Sequence, residues 1–322
     1  MQFFRRWWGR AKTPVLGVDI STTAVRVIEL ATGDRQVQIA RYGQRNLPAG
    51  AIRDGGVVMR DVICDALRDA LHDSGSRLRL AALALPAAAV MKKTLSLPAQ
   101  SSEDELEMQV EAEAMALLPV ARDEIGLDFA IIGPNVQQLD SVDVLLVAAR
   151  QETINERAEL ALAVGLKPHI VDLESQALMA AVGAMLRLND AQADHLLGVI
   201  HIDAEQGCIY FVQGDSILFE RQLNSNVVRR ESNTSEAIAQ EFNRALQLLH
   251  TASSTVSLHH VYLLGAFPAD LPQHLAKKMS VGVSALNPWE QFAIGSAAVS
   301  SPSEHPSACT LACGLAMRSF DP

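Results

Sequence analysis

Asp19 lies near the end of the run Val15-Leu-Gly-Val-Asp-Ile20, and three hydroxyl residues, Ser21, Thr22 and Thr23, follow it. A carboxylate at a strand end can enter a Mg²⁺ shell, and the backbone N–H groups and hydroxyls of a tight turn can cradle phosphate. A second aspartate, Asp203, ends a similar run, Leu197 to Asp203. Two such turns facing each other would form a phosphate clamp. Each alone is an ordinary Asx or Ser/Thr turn, so capping remains open as the role of both aspartates. Other residues offer less chemistry. His259 and His260 are neighbours on a candidate strand and point to opposite faces, which keeps them from sharing a metal. Ser21 and Ser175 have no histidine at a recognisable triad spacing. Cys64, Cys208, Cys309 and Cys313 include no Cys-x-x-Cys pair; they read as core thiols of a protein in a reducing compartment.

The elements that must position these residues come in a repeated order. Val15 to Ile20 and Ala24 to Leu30 give a hairpin signal, Gln36 to Tyr42 a third strand, Val58 to Ser74 an amphipathic helix, and Leu80 to Leu85 a further strand. Later, Leu197 to Asp203, Gly207 to Gln213, Ser216 to Leu223, the helical stretch Thr234 to His250 and the strand His260 to Leu264 repeat that order. Such a parallel is an internal duplication. Between the halves, Val90 to Leu97, Ser101 to Leu118, Leu127 to Ile132 and Val142 to Ala148 read as an inserted strand-helix-strand-strand unit. Its helix opens on a Ser102/Glu105 capping box. Helix Gln151 to Val164, strand Lys167 to Asp172 and helix Glu174 to Leu188 complete the first half; a last helix, Cys309 to Arg318, closes the chain.

Composition narrows the function classes. With 49% hydrophobic and 20% charged residues in 322, the chain is globular rather than disordered. A net charge of −10 argues against nucleic-acid binding by phosphate neutralisation. The longest apolar run, Leu80 to Met91, is broken by Pro86 and falls short of the ~18 residues of a membrane-spanning helix. Residues 1–13 form a separate basic, aromatic tip: Arg5, Arg6, Arg10 and Lys12 alternate with Phe3, Phe4, Trp7 and Trp8. That pattern suits contact with an anionic bilayer surface, or a simple frayed start.

Several phrases carry a resemblance. They are Leu16-Gly-Val-Asp19-Ile-Ser-Thr-Thr, Leu47-Pro-Ala-Gly-Ala, Ser102-Glu-Asp-Glu-Leu-Glu, Val142-Asp-Val-Leu-Leu-Val-Ala-Ala-Arg150, Gly165-Leu-Lys-Pro, Val171-Asp-Leu-Glu-Ser-Gln-Ala-Leu178 and Ala312-Cys-Gly-Leu-Ala-Met-Arg-Ser-Phe320. Together they resemble the actin-like superfamily, with an insertion like that of FtsA, and most nearly the PilM family of type IV pilus assembly. The resemblance implies an α/β fold of two duplicated, ribonuclease H-like domains: residues 14–89 with 150–190, and a shortened 191–322, with the FtsA-type insert at 90–149. It also implies ATP with Mg²⁺ in the cleft. Asp19 would lie near Mg²⁺ and Ser21, Thr22 and Thr23 at phosphate; Asp203 would lie opposite, Gly265 and Ala266 under the nucleoside, and Glu174 would orient water or simply start a helix. The sequence departs from the family where it matters for nucleotide. Asp203 is followed by Ala204 and Glu205 instead of glycine, and the adenosine loop is reduced to Gly265-Ala266-Phe267, so Glu205 or Phe267 is expected to intrude.

The family's activity implies a cytoplasmic adaptor, peripheral to the bacterial inner membrane and serving twitching motility, that binds the cytoplasmic tail of PilN. The resemblance also implies pilus ATPases or further copies of the chain as additional partners. An active, polymerising ATPase like FtsA is the alternative. The tail would lie in a groove between the first domain and the insert, beside Met91, Lys93, Leu95 and Leu97. Lys92 or Lys93 would then guard an exposed strand edge against aggregation.

Overall fold

The structure, a computed structural model, describes residues 13–320 apart from 34–35, 54, 118–120, 136, 187–194, 204–205, 215, 229–232, 253–256 and 296–304. Residues 1–12 of the basic aromatic tip and Glu205 therefore lie outside the described residues. In chain order the first half holds β1 (Leu16–Ile20), β2 (Ala24–Thr32), β3 (Val37–Asn46), a small ribbon of β4 (Ile52–Arg53) and β5 (Gly56–Val57), α1 (Arg60–Ser74) and β6 (Leu80–Leu85). The insert follows as β7 (Val90–Pro98), α2 (Glu103–Leu117), β8 (Ile125–Pro134) and β9 (Ser141–Arg150). Then come α3 (Gln151–Ala163), β10 (Lys167–Leu173) and α4 (Glu174–Leu186). The second half runs β11 (Leu196–Ile202), β12 (Gly207–Gln213), β13 (Ser216–Leu223), α5 (Ser225–Val228), α6 (Thr234–Ala252), β14 (Leu258–Gly265), α7 (Leu271–Met279) and β15 (Gly282–Ala285). The last elements are α8 (Pro288–Gln291), β16 (Ala293–Ile294) and α9 (Thr310–Met317).

The duplication expected from the sequence is visible in the pairing. One sheet is ordered β10-β6-β1-β2-β3-β16 and the other β15-β14-β11-β12-β13. In both, the first three strands run parallel and the next two antiparallel. Each hairpin places its strand-end aspartate at the same rim. The insert has its own sheet, β7-β9-β8, and does not extend either of the larger ones. Its helix starts on the predicted box: the Ser102 N–H donates to Glu105 Oε2 at 2.8 Å, and the Glu105 N–H reaches back to Ser102 Oγ at 3.4 Å. Between β13 and α6 the described chain has only the single turn of α5, in keeping with a shortened second half.

The end of the chain departs from the expected division. β16 pairs with β3, and α9 lies on β1 and against α4. A Cβ on Gly17 would meet the Ala312 carbonyl at 1.9 Å. Arg318 Nε donates to Asp172 Oδ2 of β10 at 2.6 Å, and the Val15 N–H donates to Ser319 Oγ at 2.9 Å. These parts of 191–322 therefore belong structurally to the first half, because the small residues of α9 seat against a sheet they reach only through a long return. One hydrophobic core joins both sheets. Ile28 and Ile39 on one side, and Val199 and Tyr210 on the other, pack around Leu178 of α4 and Leu315 of α9. All four cysteines are buried and free. Among the described residues, no helix is long and apolar enough to cross a membrane.

Candidate functional site

The cleft between the halves is a cavity of about 290 Å³ lined by Asp19, Arg26, Arg157, Glu174, His201, Asp203 and Gly265. The hairpin register sets Asp19 directly across from Arg26, and Arg26 Nη1 donates to Asp19 Oδ2 at 2.9 Å. Both are buried. Burial pushes the Asp19 carboxyl up to about 6; Arg26 pulls against that shift, and Asp203 adds to it. Arg26 also donates to Ser21 Oγ at 3.2 Å, and Ser21 Oγ donates to the Ala24 carbonyl at 3.1 Å. The expected Mg²⁺ carboxylate and the first hydroxyl of the phosphate turn are thus committed within the hairpin.

The remaining hydroxyls face Asp203. Thr22 Oγ1 donates to Asp203 Oδ2 at 2.8 Å and the Thr22 N–H to the same oxygen at 3.2 Å, while Thr23 Oγ1 donates to Oδ1 at 3.3 Å. The two turns do face each other, as duplication predicts, but a side-chain carboxylate holds the donors a phosphate would need. Gly265 and Ala266 are equally engaged: the Ala266 N–H donates to the Ile202 carbonyl at 2.8 Å. Gly265 has φ +86°, and a Cβ there would stand 1.9 Å from the same carbonyl oxygen. The glycine is required by that close backbone approach. Phe267 packs into the hydrophobic cluster of the second sheet with Ile202 and Phe242, not over the cleft, because its ring finds apolar partners there.

Glu174, the expected water-orienting residue, instead bridges elements. Its Oε1 lies 3.2 Å from His201 Nδ1, and its Oε2 accepts from the Ala87 N–H at 3.3 Å. Burial disfavours the His201 imidazolium, but the hydrogen bond and charge of Glu174, with Asp203 and Asp19 nearby, outweigh it and raise the His201 pKa. Sequence reasoning missed Arg26, Arg157 and His201. His201 sits two residues before Asp203 on the same face of β11, and period-two alternation alone could have found it. Arg157 reaches the cleft from α3, where its Nη2 donates to the Gly55 carbonyl at 2.8 Å; nothing local marks it.

The insert presents the second candidate surface. On one side of its sheet Leu95, Val144 and Leu146 pack against Leu106, Val110 and Ala114 of α2. The four residues expected beside the groove, Met91, Lys93, Leu95 and Leu97, share that covered side. Lys93 pairs with Glu113 of α2 at 2.7 Å. The groove assignment is thereby corrected: these four lie on the side that α2 occupies, with Leu95 buried beneath it and Lys93 exposed at its margin, and the opposite alternate set, Lys92, Thr94 and Ser96, faces away from it. Lys92 is not an edge guard either. Its Nζ donates to Ser175 Oγ of α4 and to Glu220 Oε2 of β13, both at 2.7 Å, tying the insert to both halves.

On the sheet side without α2, Val147 is buried, Lys92 and Asp128 are half-buried, and Thr94 and Ser96 farther out are exposed. At the base, Ala149 packs with Leu85, Ile154 of α3 and Val171, so the face rises from the first half beside α3. The next row across is Lys92, Val147 and Asp128, and the one beyond it Thr94, Leu145 and Ala130. Burial pushes the Asp128 carboxyl up to about 7, against one hydrogen bond from the Phe129 N–H. Among the described residues, β7 pairs with β9 alone, leaving its outer edge without a strand.

Residues 17–226 and 233–320 match the sequence profile of the family described as type IV pilus assembly protein PilM. A solved PilM-PilN type IV pilus biogenesis complex contains a chain similar to this one over 97% of its length and 100% of the other, with TM-score 0.80 and 24% identity. A Bacteroides thetaiotaomicron protein with an actin-like ATPase fold and unknown function is similar over 97% of this chain and 98% of its own, with TM-score 0.50 and 11% identity. At such identities these likenesses show the fold.

Proposed function

Because the chain belongs to the PilM family of type IV pilus assembly proteins, we propose that it is an adaptor that holds the cytoplasmic tail of PilN against the insert's sheet, on the side away from α2. It thereby links that inner-membrane partner to the pilus machinery. The observation that carries this reading is the face of the insert's sheet that α2 leaves uncovered, with the outer edge of β7 free of a strand among the described residues, rooted on the first half and bridged by Lys92 to the second. An extended peptide suits such a surface, since strands offer pockets at alternate positions. The similar fold in a complex of PilM with PilN supports the same assignment.

In this reading the cleft is a seam rather than a catalytic centre. Asp203 sets a carboxylate on the Thr22 and Thr23 donors, and like charge repels phosphate. The residues as arranged do not fit ATP with Mg²⁺. The specific observation favouring an ATPase is the cavity itself, with Asp19, Glu174 and Asp203 on its wall. Separate calorimetric titrations with a synthetic PilN tail and with Mg·ATP decide between them. Binding of the tail with no heat from nucleotide is the expected result. Micromolar nucleotide affinity with phosphate release, and no binding of the tail, would overturn the adaptor reading.

A further inference from the structure

We propose that Asp128 is the anchor on the insert's face away from α2 for a cationic group of the docked peptide, a lysine or arginine side chain or a free N-terminal amine. This inference rests on the adaptor reading above and names the chemistry of its partner. Asp128 projects from β8 on the side away from α2, beside Val147 in the middle of the face. It is partly buried, and the hydrogen bond described for its carboxylate is the one from the Phe129 N–H, at 2.9 Å.

Several shielded carboxylates of the molecule have a cation beside them, and others such as Glu29, Asp143 and Glu156 accept hydrogen bonds from other residues. Asp19 has Arg26, Asp172 has Arg318, Glu220 has Lys92 and Glu241 has Arg221, whereas no salt bridge is made by Asp128 among the described residues. Lys92 shares its row, but it stands two strand spacings away, about 10 Å, with its amine held by Glu220 and Ser175. Burial without a counterion raises the Asp128 pKa, which marks a carboxylate that gains from a cation. Ala130 and Leu145 in the next row form a low apolar floor that lets a side chain's methylenes lie down while its head reaches the carboxylate. A charge-assisted bond there is stronger than a neutral one because the site is partly dry.

The experiment is calorimetric titration of the full chain at mildly alkaline pH with the synthetic PilN tail. It is repeated with tails whose N-terminus is acetylated or whose lysines and arginines are replaced singly by uncharged isosteres. Asp128→Asn keeps the side chain's shape and the acceptor for the Phe129 N–H. It is expected to weaken the native tail at least about tenfold, as loss of one partner of a desolvated charge pair does. One modified tail is expected to bind wild type equally weakly and to lose nothing further with D128N. Melting curves of D128N and Asp128→Ala at or above wild type exclude unfolding as the cause. Binding of the native tail to D128N within about twofold of wild type, or no modified tail that cancels the effect, would overturn the anchor alone. Failure of wild type to bind the native tail would overturn the adaptor reading and the anchor with it.

Discussion

Arg26→Met is expected to destabilise the protein by roughly 3–5 kcal/mol near neutral pH, because removing one partner of a buried ion pair leaves the other charge uncompensated. The stranded charge is Asp19, which is 4% exposed. Its pKa is already held up by burial, to about 6, against the pull of Arg26, so losing Arg26 raises it further. A carboxyl whose folded pKa exceeds its unfolded value binds more protons when folded, and stability falls as pH rises between the two. The cost should therefore be largest above the new folded pKa and shrink as pH falls toward about 6, below which Asp19 is protonated in the folded state with or without Arg26. Urea denaturation across that range checks this, and the double variant D19N/R26M should recover much of the loss at neutral pH. If millimolar Mg²⁺ rescued R26M, Asp19 would be a metal carboxylate after all, and the reading of the cleft as a seam would be wrong.

Gly17→Val should cost at least about 3 kcal/mol, at the upper end of overpacking penalties. The atoms in the way are backbone: the Ala312 carbonyl oxygen at 1.9 Å and the Ala316 nitrogen at 2.7 Å from the added Cβ. Neither can change rotamer, so α9 would have to lift off β1 as a body and expose Ala312, Leu315 and Ala316 of the shared core. Gly183→Ala in α4 is the matched control. A Cβ there meets nothing within 4 Å, and glycine within a helix costs about 0.5–1 kcal/mol relative to alanine, so that change should stabilise. Denaturation midpoints for the two variants should move in opposite directions. A loss of under about 1 kcal/mol in G17V, below the overpacking range, would mean that α9 is not seated on the first sheet.

The hairpins, the repeated order and the insert were legible because each rests on local signals: alternation, turn residues and a capping box. The seat of α9 was not. Its residues, from Thr310 to Met317, are small or apolar almost all round, so the sequence marks no particular face, and its contacts lie far upstream, on β1 and α4. The two faces of β7 show a different limit. Alternation separates Lys92, Thr94 and Ser96 from Lys93, Leu95 and Leu97, but only the placement of α2 decides which set is covered. Lys93 shares α2's side yet stays exposed at its margin, paired with the equally exposed Glu113 of α2, so its charge gives no sign of which face is covered. In the cleft, the paired aspartates and hydroxyl turns were readable as a clamp. That Asp203 itself would occupy the donors of Thr22 and Thr23 follows only from how closely the two halves meet.

Amide hydrogen exchange with and without the PilN tail distinguishes the insert from the cleft as the surface that takes the partner. Slowed exchange in β7, β8, β9 and the first turn of α3, with no change in residues 16–24 and 202–207, is the predicted result. Unchanged exchange throughout the insert, with protection gathered around Asp19 and Asp203, would contradict it.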